Sequence, residues 1–177
     1  MTACSARRLT AFAAAALVVG TAADAASLSF ATPAVADVTA TPPSDRTLGA
    51  TRPNNVYYDM PAYRGQCTDG AERKVYDAAG YYLAVNGSAK QWADQARAGN
   101  WTVVDDPQPR SVVVFEPGVQ GADGSYGHVA WVDAVSQRPD GPYVDVTEMN
   151  NSQLGGVGAF SARTVKAVKG MSYILIP

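Results

Sequence analysis

The chain has 177 residues, with 14 lysines and arginines against 16 aspartates and glutamates and a formal net charge of −2. A mildly acidic chain without basic clusters lacks the electrostatic footprint of a nucleic-acid or anionic-membrane binder. It holds two cysteines, Cys4 and Cys67, and one histidine, His128, so neither a disulfide framework nor a thiolate and imidazole metal site is available, and no cofactor is expected.

Residues 1–36 have the layout of a secretory signal. Arg7 and Arg8 precede an apolar run from Leu9 to Ala23, and two small-residue cleavage signals follow, Ala23-Asp24-Ala25 and Ala34-Val35-Ala36. The Arg-Arg pair reads as an ordinary charged start rather than a twin-arginine signal. The run is too short and too alanine-rich to span a bilayer, and no other stretch approaches ~20 apolar residues, so no membrane span is expected. Cleavage after Ala36 would make the protein secreted or cell-wall associated and would discard Cys4. It would leave 141 of the 177 residues with a net charge of −3, since Arg7, Arg8 and Asp24 go with the leader. That size suits one monomeric domain with a real core, standing on packing alone.

Residues 37–54, rich in Thr, Pro, Ser and Asp without apolar periodicity, read as a flexible lead-in, and the domain is expected over 55–177. Cys67-Thr68-Asp69 opens a helix with Ala71, Val75, Ala78 and Ala79 at helical spacing and Gly80 as its stop. A second helix follows a Ser88/Gln91 capping box, with Trp92, Ala93 and Ala96 on one face and Gly99 closing it. Beyond Gly99 the period changes to two. Trp101 to Val104, Ser111 to Phe115, His128 to Val135, Tyr143 to Met149 and Met171 to Ile176 are expected strands. Helices first and strands after argue for an α+β domain with an antiparallel sheet.

The chemistry concentrates at two of these elements. A cysteine at a helix N-terminus meets outward-pointing N–H groups and the positive end of the dipole, which favour its thiolate. The alternative, a small buried hydrophobe, fits poorly with the polar neighbours Gln66, Thr68, Asp69 and Gly70. His128 is the only imidazole that can serve Cys67 as a base. On its strand His128, Ala130 and Val132 face one way, and Val129, Trp131 and Val135 the other. A hairpin about the turn from Ser136 to Gly141 with a symmetric register would set Glu148 opposite His128 and Asn150 as a diagonal neighbour. Either could reach the far ring nitrogen and fix its tautomer, as the third member of a triad must.

Several ordered blocks carry a resemblance: Gly65-Gln66-Cys67-Thr68, Trp92 with Ala93 and Ala96, Trp101-Thr102-Val103, Ser111 to Phe115, Gly127 to Val132, and Thr147-Glu148-Met149-Asn150. Over roughly residues 55 to 177 the chain resembles the CHAP domain, the cysteine- and histidine-dependent amidohydrolases/peptidases of the papain-like superfamily. The resemblance implies N-terminal helices packed on an antiparallel β-sheet. It also implies Cys67 as nucleophile, His128 as base and Glu148, or alternatively Asn150, as the residue that orients the histidine. Gln66 and the Cys67 N–H would form an oxyanion hole. Most members cleave amide bonds of peptidoglycan, which makes that polymer, or another peptide amide, the expected partner.

One departure stands out. Where many members carry an aromatic pair after Cys-Thr, this chain has Asp69-Gly70, and a carboxylate close to a thiol would raise its pKa unless Arg64 or Arg73 offsets it. Two rival readings remain from sequence: a wall-binding or antigenic module that keeps the fold without turnover, and a hydrolase of a non-wall amide.

Overall fold

The computed structural model describes residues 44–56 and 61–177; the expected leader, residues 1–36, lies outside the described residues. The principal elements are α1 (Cys67–Ala79), α2 (Trp92–Ala98), β1 (Val103–Val104), β2 (Ser111–Phe115), β3 (His128–Arg138), β4 (Gly141–Met149), β5 (Phe160–Lys166) and β6 (Met171–Leu175). The strands form one antiparallel sheet in the order β1-β6-β2-β3-β4-β5. This is the expected α+β, papain-like CHAP architecture, helices first.

Local signals set the helix ends. α1 begins at Cys67 behind an extended Gln66 and stops on Gly80, whose N–H bonds the Tyr76 carbonyl at 2.7 Å. The Gln91 carboxamide turns back to accept the Ser88 N–H at 3.0 Å, closing the box that leads into α2.

Alternation along the strands splits the core in two. Val112, Val114, Val129, Trp131 and Ile174 pack with Val75, Leu83, Trp92 and Ala96 of the helical layer, whereas Val113, Phe115, Ala130, Val132, Val146 and Tyr173 fill the opposite face. The partition corrects one expectation, because Val135 packs with the second cluster instead of with Val129 and Trp131. A bulge between Val132 and Ala134 adds a residue to β3 and inverts its alternation beyond that point.

Three further expectations change. The β3–β4 hairpin turns tightly through Pro139-Asp140, with Arg138 paired to Gly141, so both strands are longer than expected and the register is not symmetric about 128 and 148. β5 was missed because it is an edge strand in which only Val165 is buried, and such a strand needs no apolar alternation. The expected flexible lead-in is tied down from residue 44. The Ala50 N–H bonds Gly99 O at 2.7 Å, the Arg52 N–H bonds Tyr82 O at 3.0 Å, and Arg46 Nη1 donates to Ile176 O at 2.9 Å. Main-chain bonds and the long side chains of Arg46 and Arg52 hold this segment, and none of these leaves an apolar period to read.

Candidate active site

The site lies where α1 begins and where β3 and β4 meet the loop that follows them. A groove of about 340 Å³ is lined there by Gln66, Cys67, Tyr126, His128, Asn150 and Arg163, among others. Cys67 is the free cysteine among the described residues, half-buried at the first position of α1. No helix among the described residues is long and apolar enough to cross a membrane.

The segment before Cys67 is fixed by the residue that departs from the family pattern. Asp69, 2% exposed, accepts the Gly65 N–H at 2.7 Å and is gripped by Arg73 through Nε at 2.8 Å and Nη2 at 2.9 Å. Its charge is therefore balanced by Arg73 while its Oδ2 pins the turn that delivers Gln66 and Cys67. Gly70 has a different task. A Cβ there would sit 2.4 Å from the Met149 Cβ, so only glycine lets α1 lie this close to the end of β4. The Asp69-Gly70 pair is thus a bracing and close-packing device.

His128 opens β3 behind Gly127, whose φ of +71 and close approach to the Phe115 carbonyl both exclude a side chain. The preceding loop is stapled by Asp123, whose Oδ1 accepts the N–H groups of Ser125 (2.7 Å) and Tyr126 (2.8 Å). The His128 ring is buried against Phe115, ring centroids 5.8 Å apart. Its Nε2 bonds Glu148 Oε2 at 2.9 Å, which leaves Nδ1 for its other partner, the Cys67 thiol. Burial works against an imidazolium here, but the hydrogen bonds and charges of Cys67 and Glu148 outweigh it and push the ring from 6.5 up to about 9.

Glu148 is buried too, 1% exposed. Burial alone would raise its pKa; hydrogen bonds from His128 and Asn151 and the Arg163 charge hold it below the usual carboxylate range instead. Oε1 accepts Arg163 Nε at 2.8 Å and the Asn151 amide, and Arg163 Nη1 donates to the Gln120 carbonyl at 2.7 Å.

The expected site residues converge, but through a different register. Trp131 pairs with Thr147 and Val132 with Val146; continued to the strand start, this sets position 150 across from His128 and makes Glu148 the diagonal neighbour. Glu148 still reaches the ring because a glutamate spans the diagonal. Asn150, with φ +60, leaves the strand and donates its amide to Gln66 Oε1 at 2.6 Å. That bond occupies Gln66 Oε1 in a residue that lines the groove. Asn151 and Arg163 were not foreseen: the first lies beyond the end of the expected strand, and the second lies on the edge strand that alternation did not reveal.

Comparison with known proteins gives the chain relatives in one family. The family model for the CHAP domain matches residues 56–150. An N-acetylmuramoyl-L-alanine amidase domain-containing protein of Staphylococcus aureus is 34% identical over 117 residues, covering 65% of this chain and 18% of that protein. The staphylococcal secretory antigen SsaA of Staphylococcus epidermidis is 32% identical over 110 residues, covering 62% of this chain and 37% of its own. Among solved structures, an N-acetylmuramoyl-L-alanine amidase from Staphylococcus aureus superposes with a TM-score of 0.57 at 33% identity, over 70% of this chain and 34% of that one. The chain therefore spans well under half the length of these relatives.

Proposed function

The chain belongs to the CHAP-domain family, and on the geometry of its groove we propose that it is a secreted cysteine hydrolase that cleaves an amide bond of peptidoglycan through an acyl-thioester. The observation that carries the reading is the ordered contact chain Cys67–His128–Glu148, with the nucleophile at a helix N-terminus and the ring nitrogen away from it held by a buried carboxylate. Among amide bonds, the names of the amidase relatives favour the one joining N-acetylmuramic acid to the stem peptide.

The mechanism follows from where the protons sit. The Cys67 thiolate attacks the amide carbonyl carbon, and the oxyanion that forms is met by the Cys67 N–H and by Gln66 Nε2, which Asn150 aims. As the C–N bond breaks, the His128 imidazolium gives its proton to the leaving amine and an acyl-thioester remains on Cys67. Neutral His128, kept as the Nε2–H tautomer by Glu148, then takes a proton from water at Nδ1. The hydroxide attacks the thioester, the C–S bond breaks, and the thiolate–imidazolium pair is restored.

A wall-binding module without turnover has no need for a buried carboxylate that two further side chains hold behind a histidine. Purified peptidoglycan digested with the wild-type chain and with Cys67→Ala, and the products separated by mass, tests the reading. Release of stem peptides with a free N-terminal alanine by wild type alone is expected. No release by wild type, or equal release by Cys67→Ala, would refute it.

A further inference from the structure

Glu148 has a partner from outside the segment that the CHAP match covers. Its Oε2 faces His128, while Oε1 is occupied by Asn151 and by Arg163 of the edge strand β5, beyond residue 150 where that match ends. Resting on the reading of Cys67 and His128 as a catalytic pair, we propose that Arg163 is a positioning residue for the reaction. Its guanidinium, anchored on the Gln120 carbonyl, locks Oε1 so that Oε2 stays aimed at His128 Nε2, and it keeps Glu148 anionic when His128 is neutral.

The need for a second cation arises part-way through the cycle. While His128 is protonated, Glu148 has a counter-charge. Once the ring has given its proton to the leaving amine, Glu148, its side chain wholly buried, would stand as a lone carboxylate, which is costly. Such a group takes up a proton or swings away, and either event frees the ring to adopt the wrong tautomer for activating water. Arginine cannot lose its charge in this pH range and binds through a planar fork, so Arg163 supplies a constant counter-ion with fixed direction. Its own geometry is constrained from three sides: Glu148 at 2.8 Å, the Gln120 carbonyl at 2.7 Å, and the Phe115 ring 5.6 Å away, the same ring that flanks His128. The charged groups facing Glu148 are His128 from β3 and Arg163 from β5; Cys67 of α1 reaches it through His128, and its cross-strand partner Ser161 is uncharged.

The test reads the Cys67–His128–Glu148 unit with and without substrate. Alkylation of Cys67 by iodoacetamide is followed against pH for wild type, Arg163→Gln and Arg163→Lys, alongside kcat and KM on peptidoglycan. In Arg163→Gln the acid limb of alkylation should move up by roughly one pH unit, the size expected when an opposite charge at contact distance is removed from a carboxylate. Its kcat should fall between about tenfold and a hundredfold with no rise in KM, because the deacylation step is the one impaired. Arg163→Lys keeps the charge but not the fork. It should return the acid limb to its wild-type place while kcat stays low. An unchanged alkylation profile and kcat in Arg163→Gln would overturn the proposal, as would Arg163→Lys behaving identically to Arg163→Gln in limb position. Should Arg163→Gln fail to fold, Arg163→Lys decides: a wild-type acid limb with lowered kcat is the expected result, and a displaced limb contradicts a role carried by the charge. Alkylation needs no substrate, so a wild-type chain that releases nothing from peptidoglycan would sink the hydrolase reading and leave this test standing.

Discussion

Replacing Gly70 with alanine separates a structural effect from a catalytic one. A Cβ at position 70 would lie 2.4 Å from the Met149 Cβ, where ordinary contact begins at 3.4 Å, a shortfall of 1.0 Å. Both Cβ atoms are fixed by their backbones, so no rotamer change relieves the overlap; α1 and the end of β4 must part by about that distance. Overpacking of this kind costs about 1–3 kcal/mol, against a helix-propensity gain of about 1 kcal/mol for alanine over glycine, so the net loss of stability should be about 0–2 kcal/mol. The catalytic effect should be larger. Cys67 is on the displaced helix and Glu148 is the neighbour of Met149, so the strain opens between the proposed nucleophile and the carboxylate proposed to orient its base. A misplacement of about 1 Å can lower turnover about a hundredfold. Denaturant unfolding and kcat/KM measured on one preparation would show activity falling far more than stability. A variant stabilised by the full propensity gain and turning over like wild type would refute the close-packing argument.

Other expectations follow from the same geometry. Glu148→Gln should lower kcat more than Asn150→Ala, because Glu148 touches the ring and Asn150 touches Gln66; the opposite ranking in steady-state kinetics would return the orienting role to Asn150. Gln66→Ala should reduce kcat by roughly a hundredfold or more, as loss of an oxyanion donor does, and adding Asn150→Ala should cost little further, since the two amides act as one unit; full additivity in the double-mutant cycle would contradict this. With His128 pushed up to about 9, kcat/KM should fall above about that pH as the ring loses the proton it must donate, and a profile flat to pH 10 would refute it. Glu72, buried and paired with Arg52 and the Leu83 N–H, is raised from 4.5 to about 7 by burial, so the folded state binds its proton more tightly than the unfolded chain. Stability should therefore decline as pH rises from about 4.5 to 7, and Glu72→Gln should flatten that decline in thermal melts.

What the sequence disclosed about the site was local. Cys67 at a helix start, the Gly80 stop and the Ser88/Gln91 box are signals carried by a few adjacent residues, and each appears in the fold as read. Register is not local in that sense. The tight turn at Pro139-Asp140 would by itself set position 151 across from His128, and the one-residue bulge at Asp133, which leaves no mark on composition, brings position 150 there instead, so that Glu148 reaches His128 along the diagonal rather than straight across. The correct partner emerged from the wrong register because both alternatives, 148 and 150, share a face, and alternation alone constrains only the face. Arg163 was illegible for a different reason. Its strand runs along the sheet edge with only Val165 buried, so nothing periodic marks it, and its partner Glu148 is fifteen residues away across a glycine-rich loop.

The two cores explain why the proposed catalytic groups sit where they do. His128 shares its face with Ala130 and Val132 and packs at a tilt against Phe115, all three of the second cluster, while Cys67 packs against the first cluster beneath the helices. Groups on opposite faces of a sheet cannot meet through its middle. They meet here because each is the first residue of its element, and the end of β4 lets a helix from one face and a ring from the other approach the same point. The close contacts gather at that seam: Gly70 against Met149, Gly127 against the Phe115 carbonyl, and the Gly158 N–H on the Gly65 carbonyl at 2.8 Å. The dyad is therefore assembled only when both layers are seated on the sheet. Loosening either core should disable the site before it unfolds the domain, since a contact between two bodies is lost by relative displacement well before either body melts.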